Sequence, residues 1–227
     1  MIMYFLSFVL ALRLMSRSKN LQKATASLFR EILAGFRFAR TRPDILAAFS
    51  ITIIFNLFGF PFTALIPVIG IQTLHLTPDG VGMIAATEGI GAMIGAVLAG
   101  RSKTIGQVWV AYGGGVSVCM IGILIMGTGQ DVAWVVTGII VAGFGAGFFA
   151  ATQVMITYRL SPPDQRSRML GILTFCIGSA PIGFAVLGYM SDWLGTGPAL
   201  VIMGVEGIIA MSLFWLIFRH AIRASAR

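Results

Sequence analysis

Residues 80–100 read GVGMIAATEGIGAMIGAVLAG and contain a single charged residue, Glu88. A continuous run of about 20 apolar residues is long enough to cross the hydrocarbon core of a bilayer as a helix. The cations Arg101 and Lys103 follow the run directly. The stretch therefore predicts a membrane-spanning helix with a basic loop at its C-terminal side.

Five more runs of similar length and composition lie elsewhere in the chain. With the first, they predict six spans at residues 45–71, 80–100, 108–126, 132–156, 170–190 and 199–218. The runs lack the alternation of polar and apolar residues that is typical of barrel strands, and lipid tolerates no open sheet edges. The predicted fold class is therefore an all-α membrane protein built on a six-helix transmembrane bundle.

The overall composition agrees with a lipid environment. Of the 227 residues, 57% are hydrophobic and 11% are charged, and the mean hydropathy is +0.92. A soluble domain carries about 25% charged residues. This composition excludes a soluble enzyme and a nucleic-acid-binding domain, so the formal charge of +8 has another cause.

Basic residues occur only in every second connection between the spans. Their clusters lie before the first span and after the second, fourth and sixth: Arg13 to Arg42, Arg101 and Lys103, Arg159 to Arg168, and Arg219 to Arg227. The intervening connections, 72–79, 127–131 and 191–198, contain no Lys or Arg. Because cytoplasmic loops carry an excess of Lys and Arg, the basic clusters and the C-terminus are predicted to be cytoplasmic, with the protein in the inner membrane.

The N-terminal part of the chain differs from the rest. Residues 1–15 form a short apolar run that predicts the end of a spanning helix. Within the linker, residues 20–40 carry apolar side chains at helical spacing, including Leu21, Leu28 and Ile32, and predict an amphipathic helix on the cytoplasmic membrane surface. We therefore divide the chain into a partial helix at 1–15, a cytoplasmic linker at 16–44, the bundle at 45–218 and a cytoplasmic tail at 219–227.

Two acidic residues, Glu88 and Glu206, lie within the predicted spans. An ionised carboxylate in hydrocarbon is costly unless it is paired or hydrated, and otherwise it is protonated. Glu88 shares its helix face with Gly91 and Gly95, which indicates a packing face. It is the candidate for proton coupling, and a structural hydrogen bond is the alternative. Glu206 lies among bulkier residues and is the weaker candidate.

Proline and uncharged polar residues interrupt the apolar pattern. Pro61 and Pro67 lie in the first span and Pro181 lies in the fifth, and all three are predicted helix breaks. Broken helices often surround the binding sites of membrane transporters, although a static kink explains them as well. Candidates for lining a substrate cavity, or for local hydrogen bonds between helices, are Asn56, Thr63, Gln153 and Ser179.

We expect no metal site and no cofactor. His75 and His220 lie near opposite ends of apolar runs, and Cys119 and Cys176 are single thiols inside spans. An intramembrane enzyme needs a convergent nucleophile, base or metal set, which the spans do not supply. The sequence therefore does not predict an enzyme, and catalytic residues are not assigned.

Three stretches carry a resemblance to a known family. They are residues 31–43 (EILAGFRFARTRP), 143–153 (GFGAGFFAATQ) and 162–168 (PPDQRSR). They resemble the C-terminal half of a major facilitator superfamily transporter, in particular the enterobactin-exporter and macrolide-efflux branch. Residues 95–103 (GAVLAGRSK) are similar to the superfamily's loop motif with glycine and arginine, but they lack its acidic residue.

The resemblance implies one half of a twelve-helix carrier that works by alternating access. It implies efflux of a small amphiphilic molecule, of drug or siderophore type, by antiport with protons. In this reading Glu88, Asn56, Thr63, Gln153 and Ser179 face the cavity. The expected partners are membrane lipid, the substrate, protons, and either the missing N-terminal half or a second copy of the chain. Nucleic acid is not an expected partner. The alternative is a truncated or remnant membrane protein with no transport activity of its own.

Overall fold

The computed structural model describes residues 37–225. The predicted partial helix at 1–15 and most of the predicted linker at 16–44 lie outside the described residues. Within the described part, six helical stretches are long and apolar enough to cross a membrane: Pro43–Gln72, Pro78–Ala99, Ile105–Thr128, Val132–Leu160, Arg166–Leu194 and Thr196–Ser225. The six predicted spans and the all-helical fold class are therefore confirmed, with ends that extend several residues beyond some predicted boundaries.

Two of the six stretches are interrupted, so the helices are numbered α1 to α8. They are α1 (Pro43–Ile54), α2 (Phe62–Gln72), α3 (Pro78–Ala99), α4 (Ile105–Thr128), α5 (Val132–Leu160), α6 (Arg166–Ile177), α7 (Ala180–Leu194) and α8 (Thr196–Ser225). A π-helical turn, Phe55–Gly59, follows α1 directly. The first span thus consists of α1, the π-helical turn and α2, and the fifth consists of α6 and α7.

Local sequence explains where several of these helices begin. Thr77 accepts a hydrogen bond from the backbone N–H of Gly80 at the start of α3, and Asp131 accepts one from Trp134 at the start of α5. At α4, the Thr104 hydroxyl and the Gln107 side chain cap each other's backbone N–H groups. Such side chains satisfy N–H groups that have no partner inside the helix.

The three prolines behave differently. Pro61 lies in the turn between the π-helical turn and α2, and Pro181 lies at the start of α7, directly after the bend at 178–179. Pro67 lies inside α2, and the helix continues through it. A proline near a helix start loses no hydrogen bond because that N–H is unpaired anyway, whereas Pro67 removes one bond without ending the helix.

Helix α5 packs between α3 and α4, and its backbone is in direct contact with the backbones of both. A side chain at Gly91 of α3 would meet the backbone of Ile140 and Phe144, and one at Gly147 of α5 would meet the backbone of Ala92. On the opposite side of α5, Gly138 lies against the backbone of α4. Small residues permit such close approach in lipid, where the hydrophobic effect does little to hold helices together.

Hydrogen bonds show which connections meet at one end of the bundle. Arg159 donates to the backbone oxygen of Lys103 at 3.2 Å, and Arg42 donates to that of Leu160 at 3.3 Å. The Trp109 indole donates to Ser225 at 3.0 Å. We call this the basic end, and we call the opposite end, with Asp79, Asp131 and Asp192, the acidic end.

At the basic end, Arg42 also forms an ion pair with Asp44 of α1, with a distance of 2.7 Å between Nη2 and Oδ2. The hydrogen bond to Asp44 raises the pKa of the Arg42 guanidinium above its ordinary value, against the opposing effect of partial burial. Since Arg42 bonds both Asp44 and Leu160, it joins the start of α1 to the end of α5. Asn56 lies in the π-helical turn that follows α1, and Gln153 lies on α5.

Candidate functional site

A cavity of about 350 Å³ lies between the broken first span, α3 and α5. Most of its surface is apolar, with three polar side chains among the lining residues. The lining residues are Phe55, Asn56, Phe60, Phe62, Glu88, Ala92, Ala146, Gly147, Phe149, Ala150, Gln153 and Ile177. A largely apolar cavity of this size with a few polar groups is typical of a small-molecule site.

Glu88 reaches the cavity because α3 and α5 pack so closely. It is the eleventh of the 22 residues of α3, and its backbone oxygen lies directly over Gly143 of α5. The side chain is half-buried. Among residues 37–225, the single ion pair is that of Arg42 with Asp44, and Glu88 takes part in no side-chain hydrogen bond. The carboxyl group of Glu88 is therefore available to a proton or a ligand.

Asn56 is held in place by a buried polar network. Its Nδ2 donates to the backbone oxygen of Thr52 at 2.8 Å. The Thr52 hydroxyl shares a 2.6 Å hydrogen bond with the Tyr112 hydroxyl, which also donates to the backbone oxygen of Ala48 at 3.1 Å. One of the two Nδ2 hydrogens of Asn56 is used inside the bundle, and Oδ1 has no hydrogen-bond partner among the described residues, so this oxygen can accept a hydrogen bond from a ligand.

Gln153 is 9% exposed and lies on α5. Its Nε2 is fully enclosed and has no hydrogen-bond partner among the described residues. A buried donor without a partner costs about 1–3 kcal/mol of stability. Gln153 therefore destabilises the ligand-free bundle, which is unusual for a residue whose role is only to hold helices together.

Aromatic rings form a continuous stack beside these polar groups. Phe149 stacks on Phe55, with ring centroids 3.8 Å apart, and also on Tyr112, with centroids 5.3 Å apart. Phe60 continues the row at 6.4 Å from Phe55 and meets Phe184 edge to face at 5.4 Å. The stack joins α4, α5, the broken first span and α7. Its members Phe55, Phe60 and Phe149 form an apolar wall of the cavity.

The structure brings three of the sequence candidates together and leaves others apart. Glu88, Asn56 and Gln153 line the cavity, whereas Thr63 and Ser179 are not among its lining residues. The Thr63 hydroxyl donates to the backbone oxygen of Phe60, and the Ser179 hydroxyl donates to that of Cys176. Both hydroxyl groups thus satisfy carbonyl groups at the two helix breaks. Glu206 lies on α8 with an exposed side chain, away from the cavity.

Sequence reasoning missed the phenylalanines of the cavity wall. The chain contains 17 phenylalanines, and residue type alone does not separate those at a cavity from those in lipid or in the core. One signal was present, because Phe55, Phe58, Phe60 and Phe62 cluster around Pro61. Aromatic side chains around a helix break were therefore the available indication.

The cavity holds no metal-ligating set. In the range 37–225, no group of three or more His, Cys, Asp and Glu side chains is arranged to hold a metal ion. Glu88 is the one acidic residue among the described lining residues. The arrangement can exchange a proton at one carboxyl group and bind an apolar molecule through rings and two amides.

The model of the Major Facilitator Superfamily matches the chain over residues 1–182 and 57–226. Together these two matches span nearly all of the 227 residues. No curated protein matches the chain.

Proposed function

Since this chain belongs to the Major Facilitator Superfamily of membrane transporters, we propose that it serves in proton-coupled efflux of a small amphiphilic molecule by alternating access. The substrate is of drug or siderophore type, and protons move in the opposite direction. The protein resides in the inner membrane with its basic end and C-terminus in the cytoplasm. The bundle acts as one half of a carrier, together with an N-terminal half or a second copy.

One observation carries the proposal: the Glu88 carboxyl group lies at the middle of a membrane-spanning helix and lines the cavity without a basic partner among the described residues. Acidic residues inside a membrane are costly, and they commonly mark proton relays or substrate pathways. The two broken spans support movement, because helix breaks in transporters surround sites that open alternately to the two sides.

The exposed surface of α3 supports a role as part of a larger assembly. This helix is the least buried of the six spans. Its large apolar residues Met83, Met93 and Val97 are 74%, 63% and 60% exposed. Since α3 also carries Glu88, a second bundle packed there would close the cavity and complete a route between the two sides.

Proteoliposomes with an acidic lumen and entrapped pyranine test the transport proposal. Ethidium, rhodamine 6G and a catecholate siderophore are added outside in turn. An antiporter moves substrate in and protons out, so we expect at least one compound to raise the pyranine fluorescence faster in protein-containing vesicles than in empty ones. If no compound does so with correctly folded protein, the chain lacks transport activity and the remnant alternative is favoured.

The proposed orientation predicts the outcome of cysteine labelling in intact cells. Gln130→Cys lies at the acidic end and Ser167→Cys at the basic end, and both positions are exposed. The native Cys119 and Cys176 are buried and give little background. We expect a membrane-impermeant maleimide to label Gln130→Cys in intact cells, and Ser167→Cys only after permeabilisation. Equal labelling of both positions in intact cells would contradict the topology.

A further inference from the structure

The three polar side chains of the cavity share one property: each offers a ligand at least one hydrogen-bond acceptor. An ionised Glu88 carboxylate has two acceptor oxygens and no donor. Asn56 donates one Nδ2 hydrogen to the backbone oxygen of Thr52, and its Oδ1 has no partner among the described residues. The Nε2 of Gln153 is enclosed, so the more accessible part of that amide is its Oε1. Glu88, Asn56 and Gln153 therefore present acceptors to the cavity.

The walls of the cavity favour positive charge as well. The described lining residues include no Lys or Arg. Phe55, Phe60, Phe62 and Phe149 contribute aromatic rings. Phe55 and Tyr112 stack on Phe149, whereas Phe60 is 43% exposed, and the face of an accessible aromatic ring attracts a cation within about 6 Å of its centre. A carboxylate with no cationic partner, beside aromatic rings, is the environment in which an organic cation is bound.

We propose that the cavity binds a flat, ring-containing molecule with a protonated amine, an inference that builds on the transport function proposed above. The Glu88 carboxylate is the ion partner of the ammonium group. Asn56 Oδ1 and Gln153 Oε1 accept its remaining N–H groups, and the phenylalanines enclose the ring body. A molecule with a carboxylate in place of the amine would place its oxygens against the acceptor oxygens of Glu88, Asn56 and Gln153. Because the Glu88 carboxylate also carries a like charge, such a molecule is rejected.

Gln153 is a specificity-determining residue in this proposal. A residue that only stabilised the bundle would have partners for its buried amide, and Nε2 has none in the described structure. Replacing Gln153 with methionine keeps the length of the side chain and removes the unpaired donor together with the acceptor. The structure therefore predicts that Gln153→Met weakens amine binding without lowering the thermal stability of the protein.

The test uses three fluorescent probes with one ring body: 1-pyrenemethylamine, 1-pyrenemethanol and 1-pyrenecarboxylate. Their binding to the full chain in lipid nanodiscs is measured by fluorescence anisotropy, with the signal of empty nanodiscs subtracted. We expect the amine to bind at least about tenfold more tightly than the carboxylate, with the alcohol between them. Glu88→Gln should remove most of this preference, because it replaces a charge-assisted hydrogen bond with a neutral one.

Gln153→Met should weaken amine binding roughly threefold to tenfold, with an unchanged or higher melting temperature. Glu206→Gln is the matched control, since Glu206 is also a membrane acid but lies exposed on α8, and it should leave binding as in the wild type. The proposal is overturned if the carboxylate binds as tightly as the amine, if Glu88→Gln leaves the preference intact, or if none of the probes binds.

These binding measurements need no proton gradient and no net transport. Amine-selective binding without proton movement in the proteoliposomes would contradict the transport function and leave the ligand class standing. Proton-coupled transport without any preference for the amine would overturn the ligand class alone. The two failures are therefore separate observations.

Discussion

Glu88→Gln should abolish substrate-driven proton movement, lowering its initial rate by about a hundredfold or more, within the range seen when a proton-transferring side chain is removed. Glutamine has nearly the same shape as glutamate but cannot take up and release a proton. Because no side-chain hydrogen bond or ion pair of Glu88 is present among residues 37–225, the substitution should leave folding intact. The measurement is the pyranine response of proteoliposomes described above, at matched protein content.

Glu206→Gln serves as the control for this prediction. Both acids lie within spans, but Glu206 is exposed on α8 and is not part of the cavity. We expect proton movement and melting temperature of Glu206→Gln to match the wild type. Wild-type rates in Glu88→Gln would show that protons take another route and that Glu88 does not couple transport.

A single methyl group at Gly91 should destabilise the bundle at the contact between α3 and α5. The added Cβ would collide with the backbone oxygen of Ile140 and lie 2.9 Å from the backbone N of Phe144. Backbone atoms cannot rotate away as a side chain does, so α3 and α5 must separate. Overpacking of this kind costs about 1–3 kcal/mol, and Gly91→Ala should lower the melting temperature by roughly 2–12 °C.

Gly89→Ala is the matched control, two residues away on the same helix. A Cβ at Gly89 meets no atom within 4 Å, and alanine favours a helix over glycine by about 1 kcal/mol. The melting temperature of Gly89→Ala should therefore equal or exceed that of the wild type. Thermal unfolding in detergent, followed by size-exclusion chromatography, compares the three proteins. Equal melting temperatures for Gly91→Ala and Gly89→Ala would refute the close packing of α3 against α5.

The sequence was sufficient for the spans because the signal is local. A helix that crosses lipid must be apolar over its whole length, whatever it packs against. The six runs therefore appear directly in the chain, and the structure has a helical stretch at each. The helix breaks were less certain, since a proline has different effects at a helix start and in a helix interior. Pro61 and Pro181 lie beside bends, while α2 continues through Pro67.

The polar candidates show where local reasoning stops. Asn56, Thr63 and Ser179 all lie near a helix break. All three are uncharged polar residues, so residue type and position in the sequence did not distinguish a cavity residue from one that bonds its own helix. In the structure, Thr63 and Ser179 donate to backbone oxygens three residues before them, so their hydroxyl groups are used within the break. Asn56 also bonds the backbone through its donor, but an amide has a second polar atom, and that atom remains free.

The sequence by itself determined the number of spans, their helical form and the alternation of basic and acidic connections, because each depends on the hydrophobicity and charge of residues adjacent in the chain. The tertiary structure decided that Glu88, Asn56 and Gln153 surround one cavity with an aromatic wall. That outcome depends on how far each helix is rotated and how closely its backbone approaches the next. Contacts such as that of Gly143 with the backbone of Glu88 set this geometry. They join residues that are more than fifty positions apart in the chain.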